Sequence, residues 1–175
     1  MKRIIGLVLA TAIVFIMAGC GQTEASDPVS SAAEGWVQVD TIEDAAAGAG
    51  CDGFMIPESI EFGDIEFIGM SYAYQDKVAQ AAYEAGAMQV YVRKAKGIYG
   101  AAITDRDIEN EFEATWTIDV NGQEVECYGF DQNEGAIVAL WTVDDLTYAV
   151  TSQGLGGEEV PMPEELVSYL VENVK

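Results

Sequence analysis

Histidine is absent from all 175 residues. That excludes Ser-His-Asp and Cys-His nucleophilic mechanisms and every His-ligated metal site. Basic residues are scarce, eight Lys and Arg against thirty Asp and Glu, for a net charge of −22. Nucleic acid and anionic lipid are repelled by such a surface, so neither is expected as a direct ligand. An acidic excess serves first as a solubility device for an exported protein, and leaves a cationic partner open. Only three cysteines occur, too few for a thiolate zinc site once one of them is committed elsewhere. No nucleotide loop is present: "GLGGEE" (residues 154–159) lacks the Lys and Ser/Thr that cradle phosphate.

Long apolar runs are missing too, except one. Lys2 and Arg3 precede an uncharged stretch from Ile4 to Met17, followed by the small residues Ala18 and Gly19 and then Cys20. This is the plan of a secretory signal. As a helix, fourteen residues rise only about 21 Å, short of the roughly 30 Å hydrocarbon core, which disfavours a permanent span. Met17-Ala18-Gly19-Cys20 resembles the lipobox of bacterial lipoproteins, with Met where Leu is more usual. The resemblance implies cleavage of a signal peptide (1–19), acylation of Cys20 with palmitate-type chains, and attachment to the outer face of the cell membrane, where two or more chains hold stably. Loss of residues 1–19 removes two basic and no acidic residues, taking the net charge to −24.

Residues 20–35 are the acylated Cys20 and the polar run "GQTEASDPVSSAAEG", which reads as a tether that cannot bury enough apolar surface to order itself. Residues 36–175 suffice for a single domain with its own core. Within it, Cys51 and Cys127 stand 76 positions apart. Outside the cell they fit a disulfide, and equally two buried free thiols.

Thr41 with Asp44 three positions on is a variant capping box, predicting a short helix over 42–49 that Gly48 and Gly50 weaken. Pro57 keeps Ile56 extended. From Ile65, "IEFIGMSYAY", "KVAQAAYE" and "AMQVYVRKA" read as three antiparallel strands. The alanines of the second favour helix by propensity, but only a strand leaves its neighbours short connections. "TWTIDV", "QEVECYGF", "AIVALWTV" and "LTYAVTS" form a meander, with Asn121-Gly122 the strongest hairpin signal in the chain. Alternation groups Trp116, Ile118 and Val120 with Val125, Cys127, Val138, Leu140, Leu146, Tyr148 and Val150, and puts Ile137 and Trp141 on the opposite face. The sheet must then be covered on both sides or curl. Pro163 suits the first turn of a closing helix whose Leu166, Val167, Leu170, Val171 and Val174 form one stripe. Its burial contributes on the order of 7 to 12 kcal/mol before entropy. The predicted fold is α+β: a curved antiparallel sheet of about seven strands with a short N-terminal helix and a C-terminal helix on one side.

"WVQVDTIEDAAAGAGCDGFMIPESI", "VYVRKAKG", "TWTIDVNGQEVECYGF", "ALWTVDDLTYAVTSQGL" and the final Glu-Glu-Leu helix together resemble a family of uncharacterised extracytoplasmic domains. These occur in lipoproteins of Gram-positive bacteria and as the outer portion of some membrane anti-sigma factors. The resemblance spans nearly all of residues 36–175, its motifs are structural, and it implies no catalytic residue. Cys51 stands where that family has a large apolar residue, so a disulfide would be particular to this branch.

The alternating acids Asp105, Asp107, Glu109, Glu111 and Glu113 are the one cluster with calcium-like chemistry. Ile108 and Phe112 interrupt it and no glycine makes the required turn, so a solvated loop is the expectation, with no metal and no cofactor. Tyr72, Tyr74, Tyr83, Tyr91, Tyr99 and Tyr128 suit half-buried sheet positions or a groove. The function expected is a non-enzymatic, membrane-anchored domain contacting a protein, peptide or envelope component. Its rivals are a hydrolase with an acidic pair, acting on envelope glycans, and a carrier of a small apolar ligand. If the lipobox is right, a fatty-acid analogue fed to cells labels the wild-type chain and leaves a Cys20→Ser variant unlabelled.

Overall fold

A computed structural model of the chain describes residues 35–175; Cys20, the signal segment and the tether up to residue 34 lie outside them. The first half holds strands β1 (Val37–Val39), β2 (Ser59–Phe62), β3 (Ile65–Gln75), β4 (Val78–Ala85) and β5 (Met88–Lys96), with helix α1 (Ile42–Ala49) after β1. The second holds a short helix α2 (Ala101–Thr104), strands β6 (Ala114–Val120), β7 (Gln123–Gly129), β8 (Val138–Val143) and β9 (Leu146–Gly154), and helix α3 (Glu164–Asn173). All nine strands join one open sheet in the order β1-β3-β4-β5-β9-β8-β7-β6, with β2 also on β3, and every pairing is antiparallel.

The α+β class and the seven expected strands are present, including β4 in spite of its alanines. Two more were not anticipated. β1 and β2 are short, and share one edge of the eleven-residue β3 on either side of a bulge between Gly69 and Ser71. Strands this short carry too little alternation to announce themselves. The two halves of the chain meet where β5 pairs with β9 over its full length, from Met88–Gly154 to Lys96–Leu146.

Local chemistry sets the ends of these elements. Thr41 Oγ1 accepts from Asp44 N at 3.1 Å, and Gly50 closes α1 in the left-handed conformation. Asn121 and Gly122 both have positive φ, as a type I′ turn demands. Pro163 takes the N-cap position of α3 rather than its first turn. Lys175 lies beyond the helix, where its backbone exchanges two hydrogen bonds with that of Met55 (2.6 and 2.9 Å).

Both faces of the sheet are covered, which resolves the choice between cover and curl. On the first face α1 and α3 bury Ala45, Ala46, Leu166, Val167 and Leu170 against Val92, Val125 and Val150. On the second, the long β5–β6 connection lays Ile103 and Ile108 on Val138, Leu140 and Ala149. The helices are therefore not confined to one side: α2 belongs to the second face. The expected grouping of β8 is reversed as well. Trp141 joins Cys127 and Val150 on the helix face, while Val138 and Leu140 face α2 with Ile137. Register explains it: Ala139 stands opposite both Cys127 and Val150, so Ala139 and Trp141 carry that face.

Two glycines separate backbone strain from collision. Gly122 (φ 85°) has open space where a Cβ would go, whereas a Cβ on Gly135 (φ 114°) would collide with the Met162 carbonyl oxygen, at the Ala136–Met162 bridge. Gly122→Ala is expected to cost about 1–2 kcal/mol and Gly135→Ala about 3 kcal/mol or more. Urea unfolding of both variants checks the order, and equal losses would contradict the close approach.

Candidate functional site

β6 pairs with β7 and β8 with β9 out to their hairpin ends, but β7 and β8 pair only through Glu126–Leu140, Cys127–Ala139 and Tyr128–Val138. Beyond Leu140 the two hairpins part. Gln123 Nε2 donates to Thr142 O at 3.3 Å across the gap, and Asn121 Nδ2 donates to Glu172 Oε1 at 2.7 Å, tying the hairpin tip to α3. Between the parting strands and the end of α3 lies a cleft of about 680 Å³, walled by Val120, Trp141, Val143, Tyr148, Val171 and Val174. Trp141 and Tyr148, a cross-strand pair, stack at 5.3 Å and 8°. Val143 is 44% exposed, a large apolar side chain left at the mouth. Asn121, Gln123, Glu172 and Lys175 complete the lining, so the cleft combines apolar walls with a few polar groups, the composition of a binding site.

A second groove, of about 580 Å³, lies on the other face, where Tyr99, Asp107, Ile108, Glu109, Phe112 and Tyr128 surround Thr115. Tyr99 and Tyr128 both donate to Glu126 Oε2, at 2.6 and 2.7 Å. Burial first, and then the bond to that carboxylate, push the Tyr128 phenol up to about 12 and shift Tyr99 in the same direction. Of the six tyrosines named from the sequence, these two line the groove. Tyr83 is buried and donates to Pro57 O at 2.6 Å, Tyr91 donates to Gln89 Oε1 at 2.8 Å, and Tyr72 and Tyr74 pack on the helix-side core.

The acidic ladder does not converge on a cation. Glu111 pairs with Arg106 at 2.6 Å, Asp107 accepts from Asn110 Nδ2, and Asp105 is the left-handed cap of α2. Among the described residues no three His, Cys, Asp or Glu side chains are placed to hold a metal ion. No Asp or Glu among the described residues is buried.

Cys51 and Cys127 are two separate buried thiols, not a disulfide. Cys51 Sγ donates to Lys94 O on β5 at 3.4 Å, while Cys127 is on β7, three strand spacings away. At about 4.8 Å per strand that is roughly 14 Å, well outside disulfide reach. Burial pushes the Cys127 thiol up to about 12 and raises Cys51 as well, which keeps both as thiols rather than reactive thiolates.

The sequence reading missed the two buried cations of β5. Arg93 Nε donates to Gln80 Oε1 at 2.7 Å and its Nη1 to the carbonyls of Ile103 and Thr104, under the ring of Trp36. Lys94, 2% exposed, donates from Nζ to Asp52 O at 3.1 Å and lies over the Phe54 and Tyr148 rings. Desolvation lowers both, Arg93 to about 10. No family model, curated protein or solved structure matches the chain.

Burial holds the folded Lys94 below its ordinary value of 10.5. The folded chain therefore sheds this proton before the unfolded chain does, and the penalty is full below the folded pKa and fades as pH rises toward 10.5. Lys94→Met should gain stability relative to wild type at neutral pH, with the gap narrowing in urea titrations at progressively higher pH. A gap independent of pH would mean that Lys94 is not charged at a cost inside the fold.

Proposed function

We propose that the chain is a lipid-anchored, extracytoplasmic binding domain without enzymatic activity, which docks a protein, peptide or envelope component. The observation that carries it is the apolar cleft at the parting of β7 and β8, with the Trp141–Tyr148 stack in its wall and Val143 at its mouth. Trp141 and Tyr148 are buried, so their stack stiffens the wall of the cleft, while Val143 offers exposed apolar surface to a partner. The lipobox-like Cys20 and the following polar run support the location, and the resemblance to extracytoplasmic lipoprotein domains points the same way. The two thiols are buried, and the walls of the cleft offer apolar contact to a partner.

One observation favours a second reading: the cleft's volume falls in the range that small apolar ligands fill. A carrier would use the same walls. A photo-crosslinking residue at Val171, activated on intact cells, decides between them. The docking reading expects an adduct with a macromolecular partner, reduced about five-fold or more by Val143→Asp at an unchanged unfolding midpoint. An adduct with a small molecule alone would favour the carrier. No adduct of either kind would overturn both, as would protection of the domain from protease added outside the cell.

A further inference from the structure

We infer that the outer edge of β6 is a docking rail for an extended, basic segment of a partner protein, which adds to the sheet as a further strand. The inference rests on the binding reading above and names the partner's chemistry.

The two edges of the sheet are treated differently. At one, the long β3 is covered by two strands of only three and four residues, broken by a bulge, a common way of blunting an edge. At the other, β6 runs seven residues in unbroken register with β7 and contains no Lys, Pro or Gly. Because Val120 and Gln123 close a two-residue turn, the hydrogen-bonded pairs of this hairpin are those of Val120, Ile118 and Trp116. The amides and carbonyls of Thr115, Thr117 and Asp119 therefore point outward. Among the described residues nothing bonds to them.

β6 contributes one residue to each groove. Val120 lines the apolar cleft on the helix face, and Thr115 lines the aromatic and acidic groove on the other. They stand five positions apart, an odd number, so a strand laid along β6 sends the side chain opposite Val120 to one face and the one opposite Thr115 to the other. The first position calls for an apolar side chain. The second calls for Lys or Arg, which would meet Asp107, Glu109 and the Tyr128 ring. Arg106, stacked over Phe112 at 5.2 Å, shows that an aromatic ring here accepts a guanidinium. Charge selects the occupant: a second copy would bring its own −22 to an edge bordered by Glu113, Asp119 and Glu124, whereas a basic segment is drawn to it.

The test uses the purified full chain and dye-labelled decapeptides of Thr and Ser with Lys at both ends, each carrying one Leu and one Arg. Anisotropy should show a Leu–Arg separation of five binding about ten-fold tighter than a separation of four, which places both on one face. N-methylation of alternate peptide amides should abolish binding, as should Thr117→Pro. Glu109→Lys, a surface change, should weaken the Arg peptide by a similar factor while the melting curve stays in place. Equal affinity at both separations, or indifference to N-methylation, overturns the rail. So does absence of binding by every peptide; in that case a persisting Val171 crosslink on cells leaves the binding reading standing, and its loss removes both.

Discussion

Arg93 and Lys94 are neighbours on β5, so the pleat sends one cation into each face of the sheet, and both are buried. A buried charge without hydrogen bonds costs several kcal/mol, so each must find oxygen. Neither finds a carboxylate. Arg93 takes the last carbonyls of α2 and the amide oxygen of Gln80, and Lys94 takes the carbonyl of Asp52. Two backbone segments are thereby fixed against the centre of the sheet: the β5–β6 connection on one face, and the stretch between α1 and β2 on the other. In a chain with thirty acids and eight bases, the charges buried among the described residues are both bases. The solubility of the surface and the pinning of the layers thus draw on opposite signs of charge.

The cover fixed in this way decides where the clefts fall. The β5–β6 connection must travel from the middle of the sheet to its far edge, passing under β9, β8 and β7. Arg106 fastens it on the way, to Glu111 and bidentately to Glu159, while lying over Phe112. Where that connection stops short of covering β6 and β7, the tyrosine and glutamate groove remains. On the helix face Asn121 and Glu172 tie α3 to the β6–β7 tip, and beside them the parting of β7 from β8 stays open as the apolar cleft.

Much of the fold was legible because its signals are local. The Thr41 cap, the Asn121-Gly122 turn and the α3 stripe each act within a few residues, and the structure repeats them. β4 was legible by connection length, which outweighed the propensity of its alanines. The rest depends on partners distant in sequence. β1 and β2 exist because β3 has a spare edge, and the face of Trp141 follows from Ala139 standing opposite Cys127. A strand reading Val-Arg-Lys-Ala gives no sign that both cations are buried, since their acceptors are backbone oxygens that any sequence would supply. The candidate site was the least legible part, because a cleft made by two hairpins diverging has no motif. The thiols were undecidable from spacing alone and were settled by the number of strands between them.

The edge strand β6 gathers these consequences in one place. Its side chains alternate, so Trp116, Ile118 and Val120 belong to the helix-side core while Thr115, Thr117 and Asp119 stay in water. The same alternation gives its two faces opposite chemistry, apolar beside α3 and acidic-aromatic beside the β5–β6 connection. Shielding such an edge with a lysine would have placed a cation beside the acids of Asp107 and Glu109, neutralising the field there. The sequence instead leaves it bare, and net charge does the guarding: copies of the chain repel one another, so an exposed strand is tolerable without a blunting device. In the proposed docking, the charge that protects this surface from itself is also what draws a cationic chain to it.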